Sequence, residues 1–185
     1  EDVVTAYGLY YKIQQFILFA AFGLRDAIMP IVAFNFGKKD RRRINDGIKY
    51  GLLYTTAIML FGLLLLESCA APFARLFALS GPTEALCISA MRLISLSFVF
   101  AGANIALQGV FQALGSGLSS LIISLLRQLA LVLPAAWLFV QLSLRGADKS
   151  LVWLSFPLAE ALSLLVAVIL LRRLGFRLRK TFFSR

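Results

Sequence analysis

Three observations predict an all-α fold, a polytopic transmembrane helical bundle of about five spanning helices. Of the 185 residues, 60% are hydrophobic and 15% charged, and the mean hydropathy is +0.85. Ordinary soluble domains sit near about 45–50% apolar and about 25% charged. Five apolar stretches, near 3–36, 46–77, 84–113, 118–143 and 150–173, are each long enough to cross about 30 Å of hydrocarbon at about 1.5 Å per residue. None alternates in the strict two-residue period of a β-barrel strand, and the helix is then the spanning structure that satisfies every backbone group in lipid.

Within these stretches the informative residues are polar ones, because each costs a few kcal/mol unless it faces protein or water. In the first stretch Lys12, Gln15, Phe19, Phe22 and Asp26 follow helical spacing and share one face over about 20 Å. Arg25 lies about 100° away, so the adjacent Arg25 and Asp26 are each expected to bond a neighbouring helix. Pro30 removes a backbone donor and frees a carbonyl near Asp26, which predicts a kink. Two readings stand for this face: the wall of a water-filled cavity for a substrate or coupling ion, or an ion pair that fixes helix packing.

The second stretch exceeds the length that a span requires, so its ends should tilt or project, with Glu67 wetted near the outer end. The third carries Arg92 and then Asn104, Gln108 and Gln112, an amide ladder at i, i+4 and i+8. Neutral amides suit interhelical hydrogen bonds and equally the wall of a cavity for mixed substrates, while Ala101, Gly102, Ala103 and Ala106 admit a close backbone neighbour. The fourth opens on Arg127 and Gln128 and is interrupted by Pro134; Arg127 is placed to snorkel to the boundary. The fifth holds Pro157 and Glu160. Glu160 is either a proton-titrating carboxylate or the partner of Arg92 or Arg127. Pro30, Pro134 and Pro157 together are read as helix breaks.

The connections set orientation. Twelve Lys and Arg residues lie in or beside the Lys38–Arg43 loop and the tail from Arg172 to Arg185, against Arg75, Arg145, Lys149 and the nearby Arg92 elsewhere. The positive-inside rule puts that loop, the Gly115 turn and the C-terminus in the cytoplasm of a multi-pass plasma-membrane protein. Residues 174–185 form a basic cytoplasmic tail whose aromatics suit an anionic leaflet or a frayed end. Five spans then leave Glu1 outside; with no initiator Met and no signal peptide, the chain reads as part of a longer protein.

The net charge of +10 is blocked at helix ends rather than interleaved along one face, which argues for a lipid bilayer and no nucleic acid as partner. Cys69 and Cys87, with no His, fall short of the about four ligands of a zinc site, so no metal is expected. No phosphate-cradling Gly loop or catalytic cluster is present, so the protein is expected to be no enzyme, with no catalytic residues and no cofactor.

The run Val4-Thr5-Ala6-Tyr7-Gly8 and the segment from Gly23-Leu24-Arg25-Asp26 through Pro30 to Phe36-Gly37-Lys38 resemble the multidrug and toxic compound extrusion (MATE) family, at its eighth helix and the loop after it. Ala106-Leu107-Gln108-Gly109 with Gly115 is similar to the end of the tenth helix, and Leu125-Leu126-Arg127-Gln128 with Pro134 to the eleventh. The resemblance implies helices eight to twelve of the C-terminal lobe of a two-lobe (6+6) exporter, with the N-terminal lobe of the same polypeptide as partner. It further implies antiport of cationic or amphipathic compounds against H⁺ or Na⁺. Relatives coupled to Na⁺ often carry an acid inside the tenth helix, where this chain has Asn104, Gln108 and Gln112, so no ion site is expected there. A lipid-linked oligosaccharide flippase of the same superfamily and a non-transporting membrane scaffold are the rival expectations. Lys12, Arg25, Arg92 and Arg127 would supply the charge that a pyrophosphate cargo needs.

Overall fold

The computed structural model describes residues 2–76, 81–146 and 148–182. The architecture is all-α: α1 (Asp2–Gly37), α2 (Arg41–Leu76), α3 (Gly81–Ser95), α4 (Phe98–Ala113), α5 (Gly117–Leu125), a π-helical turn (Leu126–Ala130), α6 (Val132–Leu144), a 3₁₀ turn (Lys149–Leu154) and α7 (Ser155–Phe182). Among the described residues Tyr7–Gly37, Arg41–Arg75, Gly117–Leu144 and Ser150–Leu178 are each long and apolar enough to cross a membrane, and α3 with α4, bent by 50° at their junction, brings the count to five when the pair is taken as one span. Phe16, Phe61, Leu118 and Trp137 are among many large apolar side chains left exposed, a surface suited to lipid.

The turns have local causes. Between α1 and α2 only Lys38, Lys39 and Asp40 lie outside the helices, with Lys39 at φ 59°. Asp40 Oδ1 accepts the Arg43 backbone N–H at 3.1 Å, placing a negative charge where the N-terminal amides of α2 and the cations Arg41–Arg43 meet. α4 ends in a Schellman turn: Gly115 takes φ 73°, its N–H bonds Gln112 O at 3.0 Å, and Ser116 N–H bonds Phe111 O at 2.7 Å. Only a residue without Cβ holds that backbone at low cost.

Packing relies on small residues where helices approach closely. A Cβ on Gly62 would meet Ile17 Cγ2 at 2.4 Å, one on Gly102 would meet Met59 Cγ at 2.7 Å, and one on Gly109 would meet Arg25 Cγ at 2.5 Å. The largest cluster joins α1–α4 around Tyr10, Leu18, Met59, Leu66, Met91 and Phe98. A second, around Val32, Ile44, Val110 and Leu114, receives Leu171, Leu174 and Leu178 of α7. The α1–α2 turn, the end of α4 and the end of α7 therefore meet at one end of the bundle, as five alternating spans require.

The structure adds detail at four of these positions. The third span is broken at Leu96 and Ser97, where the backbone turns by 50° and Ser97 N–H bonds Ile94 O at 2.9 Å; no Pro marks the site. Pro30 stays inside the continuous α1. Pro157 lies in the first turn of α7, where its missing N–H has no helical acceptor to lose. Helix α7 runs past residue 174 to Phe182, with Leu174 and Leu178 half-buried against the Val32–Ile44 cluster; residues 183–185 lie outside the described residues.

Candidate functional site

The polar centre of the bundle is built from three helices around Glu160. In α7, Glu160 sits five residues into the helix with a side chain 12% exposed. Arg127, 9% exposed, donates from Nε to Glu160 Oε1 at 2.9 Å and also from Nη2 to the same oxygen. Asn104 of α4 donates from Nδ2 to Glu160 Oε2 at 2.7 Å and to the Glu160 backbone carbonyl at 3.0 Å. Both carboxylate oxygens are thus engaged, and a charge that would be costly in hydrocarbon is paired and hydrogen-bonded.

Local sequence explains the placement of Arg127. Pro134 has no N–H for the carbonyl of Ala130, and the ladder before it slips to the wider π spacing, with Leu131 N–H bonding Leu126 O at 2.9 Å. The slip lies on the turn that carries Arg127. Snorkelling to the boundary, the expectation for this residue, gives way to an inward turn because Glu160 offers a buried counter-charge. Of the alternatives for Glu160, the geometry places the Arg127 pair; Arg92 instead approaches Glu67 at 4.0 Å. Glu67, expected to be wetted, is half-buried and accepts Ser95 Oγ at 3.3 Å.

The amide ladder divides. Asn104 holds Glu160, Gln112 donates to Ser120 Oγ of α5 at 2.9 Å, and Gln108 is buried with its Nε2 unpartnered among the described residues. Asn104 and Gln112 therefore join helices. Beside the centre, the hydroxyls of Tyr10 and Ser163 and the indole N–H of Trp153 are also buried without partners among the described residues. Tyr7 stacks on Trp153 at 6.0 Å and on Phe156 at 5.7 Å between ring centroids.

The face predicted on α1 lies apart from this centre. Lys12 and Phe19 are exposed, Gln15 and Phe22 half-buried, and the Asp26 side chain 57% exposed. Arg25 and Asp26, expected to seek other helices, pair with each other: Nε and Nη2 of Arg25 both reach Asp26 Oδ1 at 2.8 Å. Their Cβ atoms diverge around the helix, but the arginine stem is long enough to bend back, passing over the Phe22 ring at 5.2 Å and against Gly109. The Asn104–Glu160 bond and the bend at Ser97 were not legible from spacing. Pro134 was a usable signal for the irregular turn at Arg127. Among the described residues no three His, Cys, Asp or Glu side chains group as metal ligands.

Comparisons with known proteins agree with this architecture. The sequence pattern of the MatE family matches residues 1–138. The multidrug export protein MepA of Staphylococcus aureus is 25% identical over 175 residues, covering 95% of this chain and 38% of its own length; the chain thus spans well under half the length of the curated relatives it matches. An inward-facing MATE-family multidrug resistance transporter of the MOP superfamily has the same fold, with a TM-score of 0.86 at 21% identity over 97% of this chain and 41% of its own. The MATE multidrug transporter DinF-BH, solved as a complex, gives a TM-score of 0.78 at 28% identity over 97% of this chain and 38% of its own. A MOP superfamily transporter from Pyrococcus furiosus, described as having a binding pocket whose reverse polarity suggests a different function, gives 0.85 at 21% over 95% and 39%. The chain belongs to the MatE family, and its helices take the fold of that family's transporters.

Proposed function

We propose that the full-length protein is a secondary antiporter that exports cationic or amphipathic drugs and xenobiotics across the plasma membrane in exchange for H⁺ or Na⁺. The observation that carries this reading is the open face of α1. Lys12, Phe19 and Asp26 are exposed along one side of a membrane-spanning helix in a MatE-family chain, a costly pattern unless the face meets water or protein. That side meets a central cavity shared with the N-terminal lobe of the same polypeptide, and the two lobes rock around it. Phe19 and Phe22 present π faces to a cationic substrate, and Asp26 adds a carboxylate that such a substrate would have to share with Arg25. The Lys38–Arg43 connection and the end of α7 lie on the cytoplasmic side, following the excess of Lys and Arg at that end.

In this reading the Asn104–Glu160–Arg127 centre is a latch that holds α4, the π turn and α7 as one body during the rocking motion. Gln15, Gln108 and Gln112 line or brace the same lobe. The flippase alternative needs a basic cavity for pyrophosphate. Three of the four cations that would supply it have other partners: Arg25 is paired with Asp26, Arg92 with Glu67 and Arg127 with Glu160. Lys12 has no carboxylate partner among the described residues. This balance favours the exporter.

The test is efflux of a cationic dye from cells or proteoliposomes carrying the full-length protein, with Asp26→Asn and Glu160→Gln beside it at matched expression. Export that collapses in Asp26→Asn supports the open face as the substrate path. Full export by Asp26→Asn moves the coupling chemistry out of this region, and absence of dye export by the wild type rejects the exporter reading in favour of the flippase.

A further inference from the structure

The basic end of the bundle contains a cavity that the transport reading does not use. It has a volume of about 660 Å³ and lies between the start of α2 and the end of α7, against Leu114 just after α4. Three cations line it, Arg41, Lys49 and Arg172, all exposed. None has a carboxylate within ion-pairing distance among the described residues. No Asp or Glu lines the cavity; Asp40 at the same end is taken by Arg43. Apart from the exposed Asn45, the remaining wall is apolar, with Ile48, Leu52 and Leu171 half-buried along the two helices and Leu114 buried.

We propose that this cavity binds one anionic phospholipid, its phosphate held by Arg41, Lys49 and Arg172 and the upper part of an acyl chain laid along Ile48, Leu52 and Leu171. Charge complementarity selects the anion, since three unpaired cations with no acid between them lie where two membrane-spanning helices reach the boundary. The apolar wall distinguishes a lipid from a free phosphate, because Ile48, Leu52 and Leu171 offer an acyl chain packing contacts that a soluble anion cannot make. Burial of the chain between α2 and α7 joins helices that already share the Ile44–Leu114–Leu174 cluster. The proposal rests on the exporter reading only for the leaflet, the cytoplasmic one; binding does not depend on transport.

The test is native mass spectrometry of the full-length protein in detergent, titrated with phosphatidylglycerol or phosphatidylcholine. The wild type should retain phosphatidylglycerol at least about tenfold better than phosphatidylcholine. Neutralising each cation in turn (Arg41→Gln, Lys49→Gln, Arg172→Gln) should weaken phosphatidylglycerol about fivefold, and the triple variant should lose the preference. A control triple variant, Arg75→Gln, Arg92→Gln and Arg145→Gln, removes the same charge elsewhere and should keep it. Leu52→Glu, which charges the wall without touching the cations, should weaken phosphatidylglycerol while glycerol 3-phosphate stays a poor competitor. Equal retention of both lipids by the wild type, or an unchanged preference in the Arg41, Lys49 and Arg172 triple variant, overturns the proposal. So does competition by glycerol 3-phosphate at the same concentration as the lipid, which would make this a free-phosphate site. Lipid selectivity in a protein that exports no dye would sink the transport reading and leave this one standing.

Discussion

Replacing Arg127 by Met should be among the most destabilising single changes in this chain, and replacing its partner as well should undo most of the damage. Arg127 gives Glu160 Oε1 two charge-assisted donors, and Asn104 gives one to Oε2. With Arg127→Met, Glu160 keeps only the Asn104 bond at 12% exposure, and breaking one side of such a buried pair costs about 3–5 kcal/mol. Asn104→Ala removes one hydrogen bond to a charged group and should cost about 1.5–3 kcal/mol. In Arg127→Met/Glu160→Met two unbranched apolar side chains fill the space of the pair. Such replacements are often close to neutral, so the double variant should lie within about 1–2 kcal/mol of wild type. The coupling across the cycle is then about 2 kcal/mol or more, above the range of independent sites. The assay is the unfolding midpoint of the purified full-length protein in mild detergent for all four members of the cycle. If the double variant is no more stable than Arg127→Met alone, the pair is not what holds the three helices together. Dye efflux by a folded double variant adds a second reading: retained export means that the centre is a latch, and lost export means that its charge takes part in transport.

Two further changes probe packing and capping. Gly62→Ala places a Cβ 2.4 Å from Ile17 Cγ2, and a β-branched side chain on a helix has little rotamer freedom to yield. It should destabilise by about 1–3 kcal/mol, while Gly23→Ala, with nothing within 4 Å of its new Cβ, should stay within about 1 kcal/mol of wild type and on the stabilising side; equal midpoints for the two variants would refute the close α1–α2 contact. Asp148 caps the 3₁₀ turn, and hydrogen bonds from the Ser150 backbone and hydroxyl hold its carboxyl below the usual range. Since the folded value lies below the unfolded one of about 3.9, its contribution is complete above that pH and is lost as pH falls through the folded value. The midpoint advantage of wild type over Asp148→Asn should therefore shrink between about pH 5 and pH 3, and a gap constant over that window would rule the cap out.

The membrane class was legible because apolar length is a one-dimensional property. The stretch placed near 3–36 became a helix from Asp2 to Gly37, and the Gly115 turn fell where a residue tolerant of positive φ stood between two apolar runs. What stayed illegible is pairwise. Helical spacing fixes which residues share a face, but not which face meets which helix. Asn104, Gln108 and Gln112 lie on one line in sequence, yet one holds Glu160, one holds Ser120 and one is buried without a partner among the described residues. Arg25 and Asp26 show the limit in the opposite direction, since backbone geometry separated two side chains that a long flexible stem brings together.

The irregular turns and the buried charge belong to one physical problem. A guanidinium and a carboxylate can stay between apolar helices only if donors and acceptors align within a few tenths of an ångström, and straight α-helices offer few such registers. Here the chain departs from straight helices near the pair: a 50° bend precedes Asn104, a π turn carries Arg127, and a 3₁₀ turn leads into the helix of Glu160. Pro134 accounts for the second through its missing N–H, and Asp148 together with Pro157 accounts for the third through capping and helix initiation. At the bend before Ser97, Ser95 Oγ donates to Arg92 O at 2.8 Å, a back-bond of the kind that bends helices. Tertiary contacts accompany it: α4 lies against α2 at Gly102 and against Arg25 at Gly109 while presenting Asn104 to α7, and α3 packs into the Tyr10 cluster.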